Sequence, residues 1–444
     1  MEIRKISSPG AFAARLAALA AAALAVLLAP SAALAQDADF DPFAAGAFEA
    51  AAASLASAEP GTADAPAEVA RAEYLVGGTV VARADATLAG SGYGADPSLG
   101  ALEAWLGTAS FSGKVFAKAS IPDYGALYVA YSLSHAYFQG AGGGGVAPTA
   151  QDPYLPRYAL SELHYSFDVG KALFFRLGNQ LVSWGPARIW SPVDFINLER
   201  RDAFSSLDAR AGKPGLRLHV PLPRANFFAF ADFGSLVSGL SFGDPFERAN
   251  LGGRYDFTAG SFEFGLSAYG GAESQARFGA DASGRLAGST VYAEAMAAPA
   301  YDGFEAYAQI ALGASRSLGE LKDWSVSAEG FYNSRGRDLS GYSAATIMSL
   351  PADERAALYQ GAWYAYSALS ADQPLGLDLN STISCLANLS DRSYQARLQL
   401  AFSPPRTPPF AASLSYSGGG KDKEFTRYAG DGSIAASLSA RIEF

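Results

Sequence analysis

The chain is 444 residues long, carries a formal net charge of −10, and is charged at only 17% of its positions. Beyond residue 35 no segment reaches the roughly 18 consecutive apolar residues that a spanning helix requires, which excludes a helical membrane protein, and the lone Cys385 excludes an intramolecular disulfide. What recurs instead is apolar/polar alternation over stretches of about ten residues, the period of a strand with one face of each kind.

The first 35 residues carry Arg4, Lys5 and Arg15, then an apolar run from Leu16 to Ala29, then Ala33-Leu34-Ala35 before Gln36. A basic start, an apolar middle and a small-residue end predict a signal peptide over 1–35 that sends the chain out of the cytoplasm. Residues 36–72 are Ala-rich and acidic and are broken by Pro60-Gly61 and Pro66. They read as a periplasmic lead-in, either flexible or, with a short helix over 43–58, a plug.

From Glu73 to Phe444 the pattern predicts an all-β chain. Strands fall near 73–89, 100–121, 125–138, 158–168, 172–183, 213–221, 224–236, 246–257 and 260–270. Nine more follow near 273–281, 289–299, 303–315, 323–334, 361–371, 379–390, 393–403, 409–418 and 432–444. Leu173, Phe175 and Leu177 oppose Arg176 and Gln180, and Leu398, Leu400 and Phe402 oppose Arg397 and Gln399. Soluble sandwiches alternate in the same way, so the connections must discriminate. The four longest, 139–157, 184–212, 335–360 and 419–431, all follow odd-numbered strands, while links such as Pro122-Asp123-Tyr124 and Leu222-Pro223 are short. Long loops on one rim and short turns on the other predict a transmembrane antiparallel β-barrel of sixteen to eighteen strands with long outer loops and short periplasmic turns. Tyr124, Tyr131, Tyr158, Trp324, Tyr332, Trp363 and Tyr364, near strand ends, are expected in its interfacial girdles. Pro351 and the acids after it favour a short helix within 351–359.

The connection 184–212 is long and charged. Between Arg176 and Arg224 eight basic residues stand against four acids. It is expected to fold inward and narrow the pore, with Arg176, Gln180, Arg188, Asp194, Arg200, Arg201, Asp202 and Arg217 lining the constriction. Gly178 and Gly185 allow close approach or turning of the backbone, Trp184 places an amphipathic ring at a rim, and Asn197 with Asp194 caps or turns the returning loop. Two readings of the basic residues stay open: a lumenal field that favours anions, or internal salt bridges with Asp194, Glu199, Asp202 and Asp208.

The last strand alternates Ile434, Ala436, Leu438, Ala440, Ile442 and Phe444 against Ser437, Ser439, Arg441 and Glu443. A chain ending this way resembles the outer-membrane β-barrel proteins of Gram-negative envelopes. The resemblance implies location in the outer membrane, contact with its lipid, and recognition of the strand ending in Phe444 by the barrel-assembly machinery. A narrower likeness, Leu177-Gly-Asn-Gln180, Trp184-Gly185 and Asp194-Phe-Ile-Asn197, is similar to a pattern in porin-like barrels related to alginate exporters. Leu198 stands where those barrels usually have proline.

No cofactor, metal or nucleic-acid partner is expected. His135, His164 and His219 lack a metal-ligand spacing, and Gly142–Gly145 is not followed by the Gly-Lys-Ser/Thr of a phosphate loop. Three functions are weighed. A channel for small hydrophilic solutes or oligosaccharides, anionic ones included, leads over a structural or adhesive surface barrel and over a barrel hydrolase, for which no local nucleophile–base signature exists.

Overall fold

The computed structural model describes residues 73–444 apart from 91–103, 123, 142–156, 197–203, 205–211, 235–248, 272–273, 302–304, 319–323, 337–360, 375–377, 405–406, 421–422 and 427–431. The expected signal peptide, the lead-in and the short helix within 351–359 lie outside the described residues.

Eighteen strands form one sheet. The first six are β1 (Glu73–Gly90), β2 (Ala104–Ile121), β3 (Gly125–Ala141), β4 (Arg157–Val169), β5 (Leu173–Gln180) and β6 (Lys213–Leu222). Next come β7 (Ala225–Asp232), β8 (Asn250–Ala259), β9 (Phe262–Gly271), β10 (Ser274–Leu286), β11 (Ser289–Ala298) and β12 (Tyr307–Leu318). The last are β13 (Trp324–Asn333), β14 (Trp363–Asp372), β15 (Leu379–Asn388), β16 (Ser393–Phe402), β17 (Phe410–Gly418) and β18 (Gly432–Glu443). Each pairs antiparallel with the next, and β1 pairs with β18 over twelve positions from Thr79↔Glu443 to Gly90↔Gly432, so the sheet closes into a barrel. Closure leaves no edge strand to satisfy, the condition for carrying a sheet through lipid.

Phe444 extends the seam beyond the ladder. Its carbonyl accepts from the Gly78 amide at 2.9 Å and its amide donates to the Gly78 carbonyl at 3.1 Å. Its ring faces outward, 48% exposed.

The long connections 142–156, 181–212, 334–362 and 419–431 all follow odd-numbered strands, as do 91–103 and 233–249, which sequence patterning left shorter. Even-numbered strands end in links such as 170–172, 223–224, 260–261 and 287–288. The strand phase follows the alternation. Leu173 and Leu177 are exposed on the outer face, whereas Arg176 and Gln180 turn inward, 8% and 0% exposed. Tyr124, Tyr158, Trp324 and Trp363 are exposed, as girdle residues must be. Tyr364 is a correction. Its register opposite Phe331 and Asn388 places it on the inward face, and it is only 1% exposed. An aromatic ring one position from a strand's start has either face open to it, and here the interior supplies the packing.

The barrel holds two inner hydrophobic clusters. One joins Val182, Trp184, Val193, Phe195 and Ile196 to Phe230, Tyr269 and Met296. The other joins Ala187 and Trp190 to Tyr292, Ala311, Phe331, Tyr364 and Leu386. Every residue contributed from 182–196 belongs to the connection after β5.

Candidate functional site: a loop braced across the lumen

The loop springs from a bulge. In β4 the pairing steps from Ala130↔Glu162 to Tyr131↔Leu160, leaving Ser161 as the extra residue, and such insertions bend a strand and re-aim its neighbours. The Ser161 carbonyl accepts from Asn179 Nδ2 and from the Gly212 amide, each at 3.0 Å. The outgoing and returning ends of the loop are therefore tied to one peptide. Glu162 adds a second tie, accepting from the Leu181 amide at 3.3 Å while Lys114 Nζ sits 2.7 Å from its other oxygen. Gly178 has φ +126°, and a Cβ there would lie 2.2 Å from the Leu163 carbonyl oxygen, so glycine is needed beside the bulge. Gln180 fills the space under the root, its Nε2 donating to the carbonyls of Arg176 (3.1 Å) and Gly215 (3.2 Å).

From this root the chain crosses to the far wall, where two glutamates receive it. Glu294 on β11 accepts from the Ala187 amide at 2.7 Å, the Ser191 hydroxyl at 2.9 Å and the Val193 amide at 3.2 Å. Glu329 on β13 takes three successive amides, Arg188 (3.1 Å), Ile189 (3.2 Å) and Trp190 (2.7 Å), and the Tyr292 hydroxyl at 2.6 Å. Both carboxylates are almost fully buried, at 1% and 3% exposure. Several oriented N–H donors can hold a buried carboxylate where one could not, because each charge-assisted bond offsets part of its desolvation. Trp190 then stacks on Phe331 with ring centroids 5.6 Å apart and planes 4° from parallel. Farther on, the Phe204 carbonyl accepts from Arg397 on β16 at 3.1 Å. In a ring of eighteen strands β13 lies eight strands from β5, nearly opposite, so the segment spans the lumen.

Gly185 belongs to the same brace. With φ +89° and a Cβ position 2.3 Å from Glu294 Oε1, no side chain fits there. Trp184, expected at a rim, is instead 4% exposed inside the first cluster, edge-on to Phe195 at 6.3 Å. The loop needs a buried anchor, and a large apolar ring supplies more area than a rim position would use. Asp194 is buried at 5% and accepts from the Ser183 hydroxyl at 3.2 Å. Arg188 gives its backbone amide to Glu329 while its side chain is exposed. Asn197, Arg200, Arg201 and Asp202 lie outside the described residues.

A second connection adds to the packing. Glu424, between β17 and β18, is buried and accepts from the Tyr364 hydroxyl at 2.5 Å and Asn388 Nδ2 at 2.7 Å, and Phe425 packs on the second cluster.

The remaining charged groups separate by wall. Arg176 and Arg217 are direct register partners on β5 and β6, both facing inward, and the Arg217 guanidinium lies 5.0 Å from the Phe228 ring centre. Arg254 on β8 is held between Asp281 (2.6 Å) and Asp256 (2.8 Å). Glu294, Glu329 and Glu424 were absent from the sequence-based site. For Glu294 and Glu329 the only signal was a glutamate on the inward phase of a strand next to an inward aromatic, Tyr292 or Phe331, which does not say what the carboxylate holds, and Glu424 lies in a connection with no such phase.

A closed eighteen-stranded antiparallel barrel with a loop folded into its lumen is the fold of a Gram-negative outer-membrane porin-like barrel. Among solved structures, OccK7 (OpdD) of Pseudomonas aeruginosa aligns with 84% of this chain and 99% of its own length, at TM-score 0.51 and 9% identity. OccAB1 of Acinetobacter baumannii aligns with 83% and 97%, at TM-score 0.48 and 12% identity. These likenesses are of fold. No protein-family profile and no curated protein matches the sequence.

Proposed function

We propose that this protein is an outer-membrane channel for small hydrophilic solutes, narrowed by the 184–212 loop and favouring anions at the constriction. The observation that carries the reading is the brace itself. A barrel serving only as an anchor or adhesin has no use for a loop held across its interior by two buried carboxylates, whereas a pore needs a fixed constriction to discriminate among solutes. Anion preference is supported by the adjacent Arg176 and Arg217, with Arg200 and Arg201 on the same loop. The exported location and assembly through the strand ending in Phe444 belong to the same proposal.

The test uses the purified chain in planar bilayers. Deleting most of 186–208 should raise single-channel conductance while the barrel still assembles, since β5 and β6 keep their pairing. Replacing Arg176, Arg200, Arg201 and Arg217 together by Gln should move the reversal potential in a salt gradient towards cations. The shift should shrink near 1 M salt, where the Debye length is about 3 Å. Unchanged conductance after deletion would remove the constriction, and an unmoved reversal potential would assign the arginines to internal salt bridges.

A further inference from the structure

The braced loop packs against one side of the barrel, and this asymmetry says where a solute passes. From β9 to β15 the inward residues in contact with the loop or its clusters are sealed: Ser267, Glu294, Glu329 and Leu386 are at most 7% exposed. Across β17, β18 and β2 the inward face is rich in serine, a character that Ser315, Ser325, Ser327 and Ser370 on β12, β13 and β14 share. Ser413, Ser415, Ser437, Ser439, Ser110 and Ser112 are all small, hydroxylated and half-buried.

Their register makes a continuous lattice. Ser413 pairs with Ser437, which pairs with Asp85 across the seam, and Ser439 pairs with Arg83, which pairs with Ser110. The Ser413 and Ser437 hydroxyls are 2.6 Å apart. Arg83 Nε meets Asp85 at 2.7 and 2.9 Å, so this pair adds little net charge to the wall, and Lys114, inward on β2 in phase with Ser110 and Ser112, meets Glu162 at 2.7 Å. At its margin on β4, Ser166 is 7% exposed on the inward face, and neither its hydroxyl nor Nδ1 of the neighbouring inward His164 has a hydrogen-bond partner among the described residues.

We infer that the permeation path is eccentric, running along the serine-lined wall of β17, β18, β1 and β2, and that this wall recognises polyhydroxylated solutes of sugar size. The inference deepens the channel reading and rests on it. Hydroxyls both donate and accept, and strands about 4.8 Å apart present them as a ladder on which a sugar exchanges one partner for the next. Such weak, repeated binding lets a solute enter and also leave. Bulky side chains at these positions would narrow the space beside this wall.

The outward-facing Cys385 makes the path testable, since Cys385→Ala leaves no other thiol. In that background, single cysteines at Ser437 and Ser112 should give a stepwise fall in conductance when a sulfonated methanethiosulfonate is added to the planar bilayer. Cysteines at Ser267 and Ser384, on the sealed wall, should give none. In liposome swelling, the triple variant S413V/S437V/S439V should slow glucose uptake about tenfold, on the order expected from removing one to two net hydrogen bonds, while potassium chloride conductance stays close to that of the parent. Absence of any conductance from the parent would overturn the channel reading itself. Normal conductance with block at Ser267, or without block at Ser437, would overturn the path, and unchanged glucose uptake in the valine variant would overturn recognition by hydroxyls.

Discussion

Between β9 and β15 the barrel turns tyrosines, glutamates and a phenylalanine inward, and the loop after β5 covers them; between β17 and β2 it turns serines inward, and they stay half exposed. Both walls obey the same two-residue period and present the same kind of apolar outer face. The difference shows that an inward position is not one environment. A large or charged residue there is satisfied by an arriving loop, as Glu294 and Glu329 are, or by a charged neighbour, as Arg83 is by Asp85, and a small hydroxylated one needs no such partner.

The sharpest way to break this comparison is to remove a latch. Glu329→Leu leaves three loop amides and the Tyr292 hydroxyl without their acceptor, and each unsatisfied buried donor costs about 1–3 kcal/mol. The loop is expected to leave the far wall. Conductance should rise and protease should cut within 181–212, while the heat-modifiable barrel band persists. A variant with parental conductance and protease resistance would show that the apolar clusters alone hold the loop.

The next largest effect compares the inner and outer faces of a single strand. Leu398, at the middle of β16, is 40% exposed on the outside, and Gln399 faces the lumen. Arginine at Leu398 should cost about 2–4 kcal/mol, and arginine at Gln399 close to zero. Denaturant unfolding in lipid measures both, and equal losses would mean that the two faces are not lipid and water.

The smallest effects compare two glycines of positive φ. Gly185 (φ +89°) lies against Glu294, and Gly260 (φ +64°), in the turn between β8 and β9, has nothing within 4 Å of its Cβ position. Gly260→Ala should cost only the left-handed strain, about 1–2 kcal/mol. Gly185→Ala carries that strain and also displaces the Glu294 carboxylate, so its loss should be the larger in thermal melts, with a rise in conductance that Gly260→Ala does not show. Equal losses and equal conductance would detach Gly185 from the brace.

Much of this molecule is written locally. The two-residue alternation determined which side of Leu173–Gln180 or Ser393–Phe402 meets lipid, because one step along a strand reverses the face and leaves little latitude once one face must be apolar. Gly170 and Pro223 marked turns by their own backbone preferences. Eighteen strands, long loops after odd-numbered ones and a terminal strand ending in Phe444 follow from the same local rules. Tyr364 marks their limit: an aromatic at the start of β14 satisfies the girdle and the interior equally well until its neighbours are known.

The site was legible only in part, for a reason of distance. Gly178 and Gly185 stood out because backbone geometry restricts them, and Gln180 because the alternation turns it inward. Glu294 and Glu329 did not, since they hold amides more than one hundred positions earlier in the chain and nothing local to β11 or β13 announces it. Trp184 was read as a rim ring because an amphipathic side chain directly follows the expected strand 172–183, yet its packing partners come from β7, β9 and β11. The sequence by itself determined the wall, whose energetics lie in alternation and nearest-strand pairing. Tertiary structure decided which inward positions the loop would seal, because only ring closure brings β5 opposite β13 and sets buried amides against buried carboxylates.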